Sequence, residues 1–290
     1  MSHPFMRPLL ATEHTEYDEG AERLAIALAG RCGLDLRVVI PVVSNPEYET
    51  IAPLLAAQIE HEAAIKLRAI RARGEEAGLT LETVARRGEE PWREIVAEAQ
   101  LCGADLLITR RRGRRGVLAN LLVGEMVSKV AAHAPCSVLM VPRTARLWSK
   151  RVLAAVDGSA VSASVGRAAA GIAAACGVPV SLLAVLSDER DDERARLQAT
   201  LDQVRAWMVR DHPGLEVNAE WLMGRAHEVI LAQARASGAD LIVMGRRGET
   251  ALERELLGRT AERVTGLTEG AVLLVRYESH IDQNPRSSVW

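Results

Sequence analysis

The segment Gly-Ala-Asp-Leu-Leu-Ile at positions 103–108 returns as Gly-Ala-Asp-Leu-Ile-Val at positions 238–243. Each copy is followed by an arginine- and glycine-rich turn, a helical stretch and a short apolar run, Val138-Leu139-Met140-Val141 in one and Val272-Leu273-Leu274-Val275 in the other. Upstream, Arg31-Cys32-Gly33-Leu34 matches Ala175-Cys176-Gly177-Val178. A period of this length is too long for a solenoid unit and fits a duplicated domain. The copies lie closer together at their ends than at their starts, so the first has the longer middle. The predicted division is 1–146 and 147–278, with 279–290 as a C-terminal tail.

Within the second copy, apolar runs alternate with helical patterns. Arg151–Val156 is a short apolar run ending at Asp157-Gly158-Ser159, a turn and helix-cap signal. Ala160–Cys176 is an alanine-rich helix, Val180–Leu186 a continuous apolar strand and Asp191–Arg210 a charged amphipathic helix. Leu215–Leu222 alternates like a strand, Glu228–Ala236 is helical and Asp240–Met244 is a strand. Glu253–Leu267 is a helix and Ala271–Val275 the last strand. The first copy reads alike, with a longer second helix from about Glu47 to Ala77. Alternation of this kind predicts an α/β fold: a mostly parallel sheet with helices on both faces in each copy. The two terminal apolar runs are expected to pair with each other inside the chain, since each would otherwise leave an unpaired edge.

Composition removes whole classes of function. Net charge is −2, and the nine aromatics (five Trp, three Tyr, one Phe) do not interleave with a basic surface pattern, which argues against a nucleic-acid role. No stretch approaches the roughly 18–20 apolar residues of a membrane span. Met1–Arg7 has no apolar core of the signal-peptide kind, and Cys32, Cys102, Cys136 and Cys176 form no CxxC pair, so a cytoplasmic chain with reduced thiols is expected. Seven histidines show no metal-binding spacing, and no metal site is expected from them.

In an open α/β sheet, ligands bind beyond the carboxyl ends of the strands. Two such ends in the second copy are Ala155-Val156-Asp157-Gly158-Ser159 and Met244-Gly245-Arg246-Arg247-Gly248, with Gly258-Arg259-Thr260 further on. Glycines let a backbone approach an anion, and helix N-terminal amides attract phosphate. At these residues the sequence resembles the universal stress protein family in its tandem form. The family's nucleotide-binding members carry G-x2-G-x9-G-[ST]; Gly245, Gly248 and Gly258 match, with Arg259 in the hydroxyl position. The resemblance covers roughly residues 7–143 and 150–276. It implies two tandem doubly wound domains of the adenine nucleotide alpha hydrolase-like kind, each a five-stranded parallel sheet of order 3-2-1-4-5. It also implies ATP or another adenine nucleotide, with or without Mg2+, as ligand. Adenine and ribose would lie near Ala155, Asp157 and Val185, with Met244 beside them. The phosphates would lie on Gly245, Arg247, Gly248, Gly258, Arg259 and Thr260.

The first copy departs from that pattern. Glu13 replaces the aspartate, Arg110 the first glycine, and Glu125 the hydroxyl residue, while ten residues rather than nine separate Gly113 from Gly124. No ATP is expected there. The run Arg110-Arg111-Arg112-Gly113-Arg114-Arg115 is read as a solvated loop whose arginines pair with nearby acids. Ser159 is read as a helix cap rather than a nucleophile, Trp92 as a packing anchor, and Asp105 and Asp240 as turn residues.

The expected function is a stress-response signalling module that binds an adenine nucleotide in its second copy, without catalysis. The alternatives are a non-nucleotide protein-interaction scaffold and a weak ATP hydrolase. The expected partners are the nucleotide and a protein of unknown identity, with an intrachain pseudo-dimer or a homodimer as the assembly.

Overall fold

The computed structural model describes residues 4–44, 46–111, 125–187, 191–248 and 257–277. The first half runs β1 (Pro8–Ala11), α1 (Glu19–Cys32), β2 (Arg37–Val43), α2 (Pro46–Ile51), α3 (Pro53–Glu76), β3 (Glu82–Gly88), α4 (Pro91–Leu101), β4 (Leu106–Arg110), α5 (Glu125–His133) and β5 (Ser137–Val141). The second half runs β6 (Val152–Val156), α6 (Ser162–Cys176), β7 (Val180–Leu186), α7 (Asp191–Asp211), β8 (Val217–Met223), α8 (Ala226–Ser237), β9 (Leu241–Gly245), α9 (Arg259–Leu267) and β10 (Ala271–Val275).

The strands of each half follow the order 3-2-1-4-5 and are parallel, as expected. They do not form two sheets. β5 and β10 pair antiparallel, with Leu273 opposite Leu139, Val272 opposite Met140 and Leu274 opposite Val138. The result is one ten-stranded sheet, β3-β2-β1-β4-β5-β10-β9-β6-β7-β8. The two edges that would have been exposed become its centre.

Side chains alternate across a strand, so the core divides by sheet face rather than by half. Leu139, Val141, Leu273 and Val275 lie in one buried cluster, with residues of α1, α3, α6 and α7. Val138, Met140, Val272 and Leu274 lie in the other, with residues of α4, α5, α8 and α9. Both clusters run through the β5–β10 seam.

Two expectations are corrected and a third is extended. The long helix over Glu47–Ala77 is two helices, α2 and α3, because Pro53 has no amide to continue the first and biases Ala52 out of the helical region, to φ −133° and ψ 63°. Of the predicted helix over Glu253–Leu267, α9 is seen from Arg259, and residues 249–256 lie outside the described residues. Asp105 and Asp240 do more than turn the chain. Asp105 accepts the amides of Met6 (2.7 Å) and Arg7 (2.9 Å), and Asp240 those of Ser149 (2.8 Å) and Lys150 (3.2 Å), so each carboxylate fixes the entry to its half's first strand. The equivalent α1 and α6 end alike, on Gly33 (φ 62°) and Gly177 (φ 69°) in the left-handed conformation that glycine adopts without strain.

Since both core clusters cross the seam, the halves are expected to unfold together. Leu273→Ala should cost about 2–5 kcal/mol, and urea denaturation should show one transition for the whole chain. Two separate transitions would show that the seam does not couple the halves.

Candidate functional site

At the end of β6 the chain turns through Gly158 (φ 78°). Asp157 Oδ1 accepts the Ser159 amide at 3.1 Å and the Ser159 hydroxyl at 2.5 Å. The N-cap position of α6 is Val161, with no side-chain cap bond, so the reading of Ser159 as a helix cap is corrected: its hydroxyl is spent on Asp157. The other carboxylate oxygen, Oδ2, faces Gly248, where an added Cβ would stand 3.0 Å from it.

At the end of β9 the chain passes Gly245, Arg246, Arg247 and Gly248. The Gly258 amide donates to the Arg246 carbonyl at 3.1 Å, closing this loop onto the start of α9. The first amides of a helix have no partner inside it and carry the positive end of its dipole. A Cβ at Gly245 would meet Val161 at 2.7 Å, so only glycine lets β9 end this close to α6.

Between these strand ends lies a cavity of about 750 Å³. The structure brings all ten residues singled out in the sequence to its wall: Ala155, Asp157, Val185, Met244, Gly245, Arg247, Gly248, Gly258, Arg259 and Thr260. It adds His227, near the start of α8, and Arg263. Arg263 stands one helical turn beyond Arg259, a spacing that could have revealed it. His227 follows the β8 end, a third strand terminus that carries no glycine-rich signal.

Among the described residues, the pocket at the corresponding place in the first half, beside Glu13, Asp18 and Arg110, encloses about 10 Å³. Arg110 donates to Glu13 at 2.8 Å, to Asp18 at 3.3 Å and to Thr15 at 3.2 Å. Beside it, the buried Glu22 accepts from Thr12 at 2.7 Å, lies 2.9 Å from His14 Nδ1, and pairs with Arg73. Among the described residues, the Arg110 side chain occupies this strand end and its acids are paired from within. The solvated-loop reading therefore holds for Arg110 only in its pairing with acids. Arg111 departs from it, sending its guanidinium to the Thr265 carbonyl in the second half at 3.1 Å. Arg112, Gly113, Arg114, Arg115 and Gly124 lie outside the described residues.

Two further groups bear on chemistry. Burial pushes the Cys136 thiol up to about 12 and that of Cys176 up to about 11, so both are neutral thiols at pH 7. Trp92 packs on His133, ring centroids 4.7 Å apart, and anchors α4 to α5. No three His, Cys, Asp or Glu side chains gather into a metal-binding group among the described residues, and no described helix is long and apolar enough to cross a membrane.

The sequence pattern of the Universal stress protein family matches residues 4–142 and again residues 149–276. Universal stress protein Slr1230 of Synechocystis is 26% identical over 172 residues, which are 59% of this chain and 58% of that protein. Universal stress protein MJ0531 of Methanocaldococcus jannaschii is 44% identical over 63 residues, 22% of this chain and 37% of that protein. The chain thus matches less than two thirds of the length of these curated relatives. In fold, the chain is similar to the crystal structure of a universal stress protein from Archaeoglobus fulgidus, with a TM-score of 0.74, 19% identity, and coverage of 96% of this chain and 98% of that one.

The first half's filled strand end depends on one cation. Arg110→Met should lower stability by about 1–3 kcal/mol, because the buried Asp18 carboxylate loses a charged donor. Guanidinium denaturation measures the loss. An unchanged or raised stability would show that the cluster is held without Arg110.

Proposed function

The chain belongs to the universal stress protein family, and from that premise we propose that it is a stress-response module that binds one adenine nucleotide, in its second half, without turning it over. The observation that carries this reading is the contrast between two equivalent places in the fold: about 750 Å³ open at the ends of β6 and β9, and about 10 Å³ at the ends of β1 and β4.

The wall of the larger cavity is divided in a way that suits such a ligand. Ala155, Val185 and Met244 supply apolar surface for a base. Asp157, already steadied by Ser159 through Oδ1, keeps Oδ2 for a ribose hydroxyl. Gly245, Gly248 and Gly258 would let backbone amides reach phosphate oxygens, and the α9 N-terminus adds its dipole. Arg247 and Arg259 would add charge-assisted bonds. Asp157 is the carboxylate that lines the cavity among the described residues, so Mg2+ would be held chiefly by the phosphates themselves.

A second reading, a protein-contact module, has one observation behind it. Around the α2–α3 junction, Ile51 is 80% exposed and Leu54 86% exposed, an unusual apolar pair for a surface.

Titration calorimetry with ATP decides between them. One site per chain is expected, with Gly248→Val abolishing binding by driving a side chain at the Asp157 carboxylate. Two sites per chain would overturn the asymmetry. No binding, with no nucleotide found by mass spectrometry of the denatured protein, would favour the protein-contact reading.

A further inference from the structure

Arg246 stands between Gly245 and Arg247, both on the cavity wall, yet its own side chain turns away from the cavity and is 91% buried, with only 9% exposed. Its Nη1 donates to the carbonyls of Ala131 at 2.7 Å and Ala134 at 3.0 Å, with the Ala132 carbonyl at 3.4 Å. These carbonyls end α5, in the other half. The last carbonyls of a helix lack partners inside it and carry the negative end of its dipole. A guanidinium there supplies both donors and charge.

Arg111 makes the reciprocal contact. It follows β4 as Arg246 follows β9. Its amide donates to the Val141 carbonyl at 2.7 Å, as the Arg246 amide does to the Val275 carbonyl at 3.1 Å. Its Nη1 reaches the Thr265 carbonyl near the C-terminus of α9 at 3.1 Å. The other end of α9 is Gly258-Arg259-Thr260, on the cavity wall. The first half therefore grips both pieces of the cavity's cationic end. It holds the 245–248 loop through α5 and the helix through Arg111.

We propose that Arg246 and Arg111 are positioning residues through which the first half sets the phosphate-binding end of the cavity in the second. This rests on the nucleotide reading above. Backbone donors recognise an anion only when held close to the productive geometry, and the glycines at both ends of this loop contribute no side chain to hold it. A buried, charged hydrogen bond to a helix end provides that hold. Neither arginine is part of the apolar wall of Ala155, Val185 and Met244, so the two ends of the ligand should respond differently.

The test compares ATP with adenosine, which lacks the phosphates, by titration calorimetry on the full chain. In Arg246→Met, ATP should bind about tenfold or more weakly, the loss expected of a charged hydrogen bond, while adenosine affinity stays within about twofold. Arg111→Met, which removes a contact at the far end of α9, should shift ATP in the same direction by less. Arg246→Lys, which keeps a cationic donor, should recover part of the loss. If Arg246→Met does not fold, Arg111→Met and Arg246→Lys carry the comparison. Equal ATP affinity in wild type and variants, or parallel losses for ATP and adenosine, would overturn the positioning role while leaving the nucleotide reading intact. Absence of ATP binding in the wild type would overturn both.

Discussion

The antiparallel pairing of β5 with β10 is the contact on which the rest of the arrangement depends. Each half is a parallel sheet whose last strand would present a row of unpaired amides and carbonyls beside an apolar face. Pairing Leu139 with Leu273 satisfies both rows at once and makes the two cores continuous on each sheet face. It also reverses the direction of one half relative to the other. The carboxyl ends of the second half's strands therefore lie beside the amino ends of the first half's, next to the C-terminus of α5. That placement brings Arg246 to the α5 carbonyls and, by the same symmetry, Arg111 to α9.

The two equivalent strand ends show how little chemistry separates an open site from a closed one. At β9 the chain leaves the sheet on Gly245, and among the described residues a cavity of about 750 Å³ stays open between β6 and β9. At β4 it leaves on Arg110, whose long side chain folds back over β1 to Glu13, Thr15 and Asp18. Once a cation occupies that space, acids beneath it lower the free energy of the fold, and Glu13 in the position of Asp157 fits the filled state better than the open one. The glycine and the aspartate on one side, the arginine and the glutamate on the other, are matched pairs.

The repeat made the fold legible. Internal similarity, short apolar runs and the helical stretches between them gave the element order, and the edge argument gave the seam. The split of the long first-half helix was also present in the sequence, as Pro53, but an apolar pattern running past a proline reads as one helix unless the missing amide is counted. The ten wall residues followed from the family resemblance, which three glycines at the family's spacing and the aspartate after the first strand carry. His227 carries no such signal, since only the fold brings the β8 end to the same rim. Arg246 was hidden for a different reason. In the run Gly-Arg-Arg-Gly the two arginines look alike, and only the fold sends Arg247 to the cavity wall and Arg246 to the carbonyls at the end of α5. Ser159 looked like a cap because it precedes a helix; its hydroxyl found the nearer carboxylate of Asp157 first.

Burying an arginine is costly, and the sheet seam explains how this one is retained. Desolvation pulls Arg246 down to about 10, yet that leaves it fully charged at neutral pH. A buried cation needs donors satisfied and charge opposed. The end of α5 does both, with two carbonyls within 3.0 Å and the negative end of a helix dipole, and no carboxylate is required for the contact. The carbonyls gain as well, since a helix ending inside the protein would otherwise leave them unpaired. Lysine would offer a compact point charge, and an apolar residue would orphan the helix end. The guanidinium places one nitrogen, Nη1, among the carbonyls of Ala131, Ala132 and Ala134. The same residue that closes one half's helix is thereby tied to the loop of the other, as Arg111 ties the first half to α9.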